Sequence, residues 1–194
     1  MKRTVFGITG GTGCGKTTAL LALESLGVHI IDCDVVYHQL LETSRDMLAA
    51  IDHAFPGVVE DGVLQRKKLG AYVFSHPEAL QQLNTITGAY VLEAVKQELA
   101  DRPAQPCAID AIGLLESGLA DLCTITVAVT ASEDVRAARL MKREGISEEY
   151  ARLRIQAQKP NDYFSSACTI TLHNDYVTAE AFLAYSKQVL AKYL

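Results

Sequence analysis

The segment Gly10-Gly11-Thr12-Gly13-Cys14-Gly15-Lys16-Thr17 satisfies the pattern G-x-x-x-x-G-K-[ST], the phosphate-binding P-loop. Nothing else in the chain narrows its fold as sharply. The glycines allow a tight turn in which successive backbone N–H groups face one phosphate. The helix that must follow adds the positive end of its dipole. Lys16 supplies a mobile cation for the β- and γ-phosphates, and the Thr17 hydroxyl is a Mg²⁺ ligand candidate. The pattern requires a strand before it and a helix after it. Val5-Phe6-Gly7-Ile8 reads as that strand, residues 17–26 as that helix with Gly27 as its stop, and residues 28–31 as a second strand. Strand, helix and strand in this order form a βαβ unit, with a parallel sheet and a right-handed crossover.

Two later apolar runs, 107–112 and 124–130, fit buried strands of the same sheet, and 169–172 fits one more. The middle of the chain has a different texture. Leu40, Leu41, Met47, Leu48 and Ile51 recur at helical spacing, Pro56-Gly57 and Asp61-Gly62 mark turns, and 66–74 and 77–99 read as helices. An all-helical insertion between the second and third strands accounts for this. A basic helix follows over 132–145, and another runs from its N-cap Ser147 to Gln158. Lys159-Pro160-Asn161-Asp162 is expected to break it, and the tail from 178 is amphipathic. The expected class is α/β: a parallel sheet core flanked by helices, carrying a helical insertion.

Composition excludes several alternatives. Lys plus Arg is 18 and Asp plus Glu is 23, a formal charge of −5, which argues against a nucleic-acid-binding surface. The five cysteines are odd in number, form no C-x-x-C and mostly lie in apolar runs, so neither a disulfide framework nor a zinc site is expected, and a reducing cytoplasm is. Met1-Lys2-Arg3 opens like a signal peptide, but the apolar stretch behind it runs into glycines and Lys16 with no cleavable site. No apolar stretch approaches the ~18 residues of a membrane span. No protein partner can be inferred, and the scattered histidines show no catalytic pattern.

Several charged residues carry candidate chemistry. Asp32 and Asp34 follow the second strand, where the carboxyl ends of a parallel sheet form the ligand crevice. Two carboxylates there are candidates for taking a substrate hydroxyl proton or holding Mg²⁺, Asp34 ahead of Asp32; the alternative is that one of them N-caps the helix beginning at Val35, and Asp32 is the candidate for capping or orienting. Asp110 lies within an apolar strand run and is either a Mg²⁺ ligand or the structural partner of an arginine. Glu116 is a candidate substrate or lid contact. Arg139 and Arg143, four residues apart, share a helix face and suit closure over transferring phosphates, whereas Arg136 and Lys142 read as a solvated basic face. Arg66, in the insertion, is a further candidate anion binder.

The ordered set of motifs resembles the dephospho-CoA kinase family over nearly the whole chain. The matching pieces are Ile8 to Thr18, Ile31-Asp32-Cys33-Asp34, Leu64-Gln65-Arg66, Val73-Phe74, Leu83-Asn84, Asp110 with Leu114-Leu115-Glu116, Arg139-Leu140-Met141-Lys142-Arg143, Arg154-Ile155-Gln156-Ala157-Gln158 and Asn174. The resemblance implies a P-loop kinase that moves the γ-phosphoryl of ATP, with Mg²⁺, to the ribose 3′-hydroxyl of dephospho-CoA. It implies a nucleotide-binding core over 1–34 and 103–194, a lid at about 139–165 within it, and a CoA-moiety-binding insertion over 35–102. It places Asp34 as the base, Lys16 and Thr17 on phosphate and magnesium, Thr18 in the nucleotide loop, Arg139 and Arg143 on the lid side, Asn84 on the substrate and Asn174 beside adenine. The chain departs from the family pattern at Gly88-Ala89, Gly113, Phe164 and Cys168-Thr169, all in the acceptor and lid half. The alternatives are a P-loop kinase for a nucleotide or other hydroxyl acceptor, and a nucleotide-binding regulator without turnover. A carboxylate at Asp34 favours catalysis, because a pure binder has no need of one there.

Overall fold

A computed structural model describes residues 3–194; Met1 and Lys2, the first residues of the segment compared above with a signal peptide, lie outside the described residues. The strand ahead of the glycine cluster is β1 (Val5–Thr9), buried at every position. Its neighbours are β5 (Cys107–Asp110) and β6 (Ile125–Thr130), both parallel to it, with Ile8 level with Asp110 on one side and Val127 on the other. β7 (Ile170–His173) adds parallel to β6, and β2 (His29–Asp32) lies beyond β5, giving the order β2-β5-β1-β6-β7. Parallel strands are buried on both faces, hence their near-continuous apolar sequences. The parallel arrangement brings the carboxyl ends of β1, β5, β6 and β7 to one edge of the sheet, the edge where such folds bind ligands.

Two helices cover one face. α1 (Lys16–Glu24) packs against α9 (Ala179–Leu190), and Leu20, Leu23, Phe182 and Leu190 are buried with Phe6, Ile8, Val127 and Leu172 of the strands. α6 (Glu133–Glu144) and α7 (Glu148–Gln156) pair through Ala137, Leu140, Ala151 and Ile155. Gly145, at φ 68, ends α6, and the Ser147 hydroxyl accepts from the Tyr150 N–H to begin α7. Lys159–Asp162 was expected only to break a helix. Instead Pro160 is the N-cap of α8 (Asn161–Ala167), whose Asn161 Nδ2 donates to Ala131 O at 2.8 Å. Proline's fixed φ and missing N–H suit a helix start as well as a stop.

The chain divides into two compact units, one comprising residues up to Ile31 together with Arg102–Leu194, the other Asp32–Asp101. The second contains α2 (Cys33–Thr43), α3 (Arg45–Ala54), α4 (Arg66–Val73) and α5 (Pro77–Ala100) around a core of Met47, Leu48, Ile51, Phe55, Leu69 and Val73. It is not all helical, as expected above. β3 (Val59–Glu60) and β4 (Val63–Leu64) form an antiparallel hairpin through Asp61-Gly62, both at positive φ. Asp-Gly is the residue pair such two-residue turns favour. Asp52 Oδ1 anchors the hairpin by accepting from the N–H groups of Gly57, Val58 and Val59 at 3.0–3.1 Å. Among the described residues no helix is long and apolar enough to cross a membrane, and all five cysteines remain thiols.

Candidate active site

The P-loop leaves the end of β1 and turns into α1 at Gly15, where φ is 95 and a Cβ would lie 2.2 Å from Asn174 Nδ2. Only glycine meets both demands. The first turn of α1 holds no acidic side chain, so its N–H groups face outward without an internal anion. Thr17 is exposed at the rim, and the Thr18 N–H is used internally, donating to Gly15 O. A cleft of about 700 Å³ opens over the loop, lined by Gly10 to Gly13, Gly15, Lys16 and Thr17, and closed in by Ile112, Arg143, Arg154, Ala157 and Gln158.

Lys16 reaches into this cleft, and its Nζ lies 2.5 Å from Asp110 Oδ1 at the end of β5. The contact is an ion pair rather than an aligned hydrogen bond. Of the two sequence readings of Asp110, the structural one is met with a lysine in place of the expected arginine.

Three residues placed elsewhere by the sequence reading lie behind the loop. Arg136 is not on a solvated face; it is 3 % exposed, with Nε donating to Thr12 O at 2.9 Å and Nη2 to Gln158 Oε1 at 3.0 Å. Its i+4 neighbour Leu140 is fully buried, and that shared stripe was the signal available in the sequence. Arg139, expected to close over phosphates, donates through Nη1 to Gly13 O and through Nη2 to Asn174 Oδ1 at 3.1 Å. Asn174, expected beside adenine, is 3 % exposed beneath the loop, with Nδ2 donating to Cys14 O at 2.8 Å. Both ends of its amide are therefore used in holding the loop. Cys14 lies in the same layer, and burial pushes its thiol pKa up.

Besides Lys16, the cleft is lined by two arginines, Arg143 from α6 and Arg154 from α7. One carboxylate joins them: Glu144 Oε1 pairs with Arg143 Nη2 at 2.5 Å and Oε2 with Arg154 Nη1. Both guanidinium groups hold the Glu144 carboxyl below its usual pKa. Arg154, Glu144 and Gln158 had no role in the sequence reading, because pairing across two helices leaves no mark in either helix alone. In the same unit, Glu116 Oε1 accepts from the Tyr163 hydroxyl at 2.8 Å, tying the segment after β5 to α8 and raising the phenol pKa.

In the second unit, Asp32 Oδ1 caps α2 by accepting from the N–H groups of Asp34 at 2.9 Å and Val35 at 3.2 Å. Asp34, in the first turn, is exposed. Its carboxylate makes no hydrogen bond or ion pair among the described residues. Arg66 begins α4 and lines a pocket of about 250 Å³ with Tyr37, His38, Leu80 and Leu83. Burial there raises the Tyr37 phenol pKa, and Arg66 opposes the shift. Asn84 is exposed on α5.

The family model described as dephospho-CoA kinase matches residues 4–180. A dephospho-CoA kinase of Dehalococcoides mccartyi is 35% identical over 176 residues, 88% of this chain and 88% of that protein. A solved structure from Thermus thermophilus superposes with a TM-score of 0.78 at 30% identity, covering 100% of both chains. The dephospho-CoA kinase of Campylobacter jejuni, 22% identical, covers 97% of this chain and 96% of its own with a TM-score of 0.70, a likeness of fold. With its motifs in family order and the match extending from β1 into α9, the chain belongs to the dephospho-CoA kinase family.

Proposed function

We propose that the protein transfers the γ-phosphoryl group of ATP to the ribose 3′-hydroxyl of dephospho-CoA, giving coenzyme A and ADP. The observation that carries this reading is the cleft over the P-loop, in which Lys16 is held by Asp110 and two arginines face inward, in a chain matched to the family over residues 4–180. The loop N–H groups and the start of α1 bind the phosphates. Lys16, Arg143 and Arg154 neutralise the charge spread over the transferring group, which in phosphoryl transfer is the main catalytic task. Arg139 and Asn174 keep the loop in its binding shape.

Thr17 and Asp110 fit Mg²⁺: an exposed hydroxyl and a carboxylate are hard oxygen donors, and this ion takes one or two such ligands beside phosphate oxygens. When bound it would supply positive charge that stabilises the transferring phosphoryl group. Asp34 takes the proton of the acceptor hydroxyl, and Asp32 fixes the helix turn on which Asp34 stands. Arg66 and Asn84, with residues 35–102, are assigned to the CoA moiety. Glu116 and Tyr163 hold the lid segment over 139–165 to the core.

A coupled ADP-release assay with dephospho-CoA and a panel of nucleosides and nucleotides tests the acceptor. Turnover of a nucleoside monophosphate, with none of dephospho-CoA, would overturn it. For the base, Asp34→Asn is expected to lower kcat by roughly 10²–10⁴ while ATP affinity by calorimetry stays within a few-fold. A kcat close to that of the unaltered enzyme leaves Asp34 with no catalytic role.

A further inference from the structure

Arg136 is a full positive charge buried among neutral acceptors. Its hydrogen-bond partners are a carbonyl, Thr12 O, and an amide oxygen, Gln158 Oε1, and no carboxylate pairs with it among the described residues. A buried cation without a counter-charge is costly, and a neutral side chain would brace the loop at lower cost. Its position shows where a counter-charge arrives. A Cβ on Gly11 would lie 2.5 Å from Arg136 Nη2, so the guanidinium sits directly against the backbone of the loop. Gly11 and Thr12 themselves form the cleft wall. Gln158 Oε1 also accepts from the Thr12 N–H at 2.8 Å, so that the two successive peptides flanking Thr12 are held, the first at its N–H by Gln158 and the second at its carbonyl by Arg136.

We propose that Arg136 is a positioning residue for the polyphosphate. Its charge, one backbone layer behind the loop, is balanced only when phosphates are seated in the cleft. With Gln158 it fixes the two peptides flanking Thr12, against which they settle. The inference rests on the reading of the cleft as a nucleotide site and is independent of the acceptor. It also separates Arg136 from Arg143 and Arg154: a buried charge is weakly screened by salt, an exposed one strongly.

The test is calorimetry with ATP and with inorganic tripolyphosphate on the full-length protein and on Arg136→Met and Arg136→Lys, alongside the melting temperature of each without ligand. Arg136→Met is expected to weaken both ligands by at least about tenfold, at low and at high salt. Its ligand-free melting temperature should stay within a few degrees, since exchanging a buried charge for an apolar side chain of similar size is often neutral. Arg136→Lys, which keeps the charge and loses the fork, should recover affinity to within a few-fold. Unchanged affinity in Arg136→Met overturns the proposal. So does lost affinity that tracks a lower melting temperature and is not rescued by lysine, which would make Arg136 a brace alone. Failure of the unaltered protein to bind either ligand removes the nucleotide reading itself, before any substitution is compared. Neither titration contains dephospho-CoA, so an error over the acceptor appears only in the turnover assay.

Discussion

Lys16 stands between two anions, the Asp110 carboxylate that holds it now and the phosphates it is assigned to meet. Its contribution grows as charge builds on the transferring group, so Lys16→Ala should lower kcat by about 10²–10³, or ~3–4 kcal/mol, with a smaller loss in ATP affinity. Steady-state kinetics on the variant check this, and a near-normal kcat would remove Lys16 from the chemistry. Lys16 and Thr17 were legible in the sequence because the loop pattern fixes their place to the residue. Asp110 was legible as a charge in an apolar strand, but its partner was not, since β5 and α1 meet only in the fold. Arg136, Arg139 and Asn174 make contacts with the loop that the sequence did not show. Each has the chemistry of a ligand contact, and sequence alone does not say which side of a loop a side chain approaches.

The pairing of α6 and α7 sets the two cleft arginines. Glu144 is the last residue of α6, where the helix dipole disfavours a negative charge. Two guanidinium groups offset that, and they hold its carboxyl pKa down. A carboxyl whose pKa falls on folding contributes above its ordinary titration range and loses the contribution as pH drops through the lowered value. Near neutrality the clamp is therefore fully charged. Glu144→Ala should leave the melting temperature nearly unchanged, because exposed ion pairs add little to stability. It should nevertheless reduce kcat/KM for ATP by roughly tenfold, through two cations no longer held at the cleft. Thermal melts and kinetics on one preparation check both halves; unchanged kinetics would leave the clamp without a role. Long elements of this kind were readable from periodicity. The hairpin of β3 and β4 was not, because strands of two residues carry no alternation to read, and α8 was masked by treating Pro160 only as a stop.

At the scale of the molecule, the assignment divides labour between the two units, nucleotide to one and acceptor to the other. Hydrogen exchange checks it. ATP alone should protect backbone amides around residues 10–18, and dephospho-CoA should protect amides between 64 and 95; protection of the latter by a nucleoside monophosphate instead would point to another acceptor. The parallel core was legible because a P-loop admits few surroundings, whereas the second unit has no comparable motif and was readable only as helices with turns. The insertion has a topological property with wider meaning. It leaves the sheet after β2 and returns ahead of β5, and these strands are neighbours, with the His29 N–H donating to Pro106 O at 2.9 Å. To the sheet, the seventy residues from Asp32 to Asp101 amount to one long connection between adjacent strands. Such a connection can be lengthened, shortened or exchanged without altering strand order or the loop that grips phosphate. Grafting at this point would thus exchange the acceptor half together with its proposed base, Asp34, while the loop that grips phosphate is inherited intact.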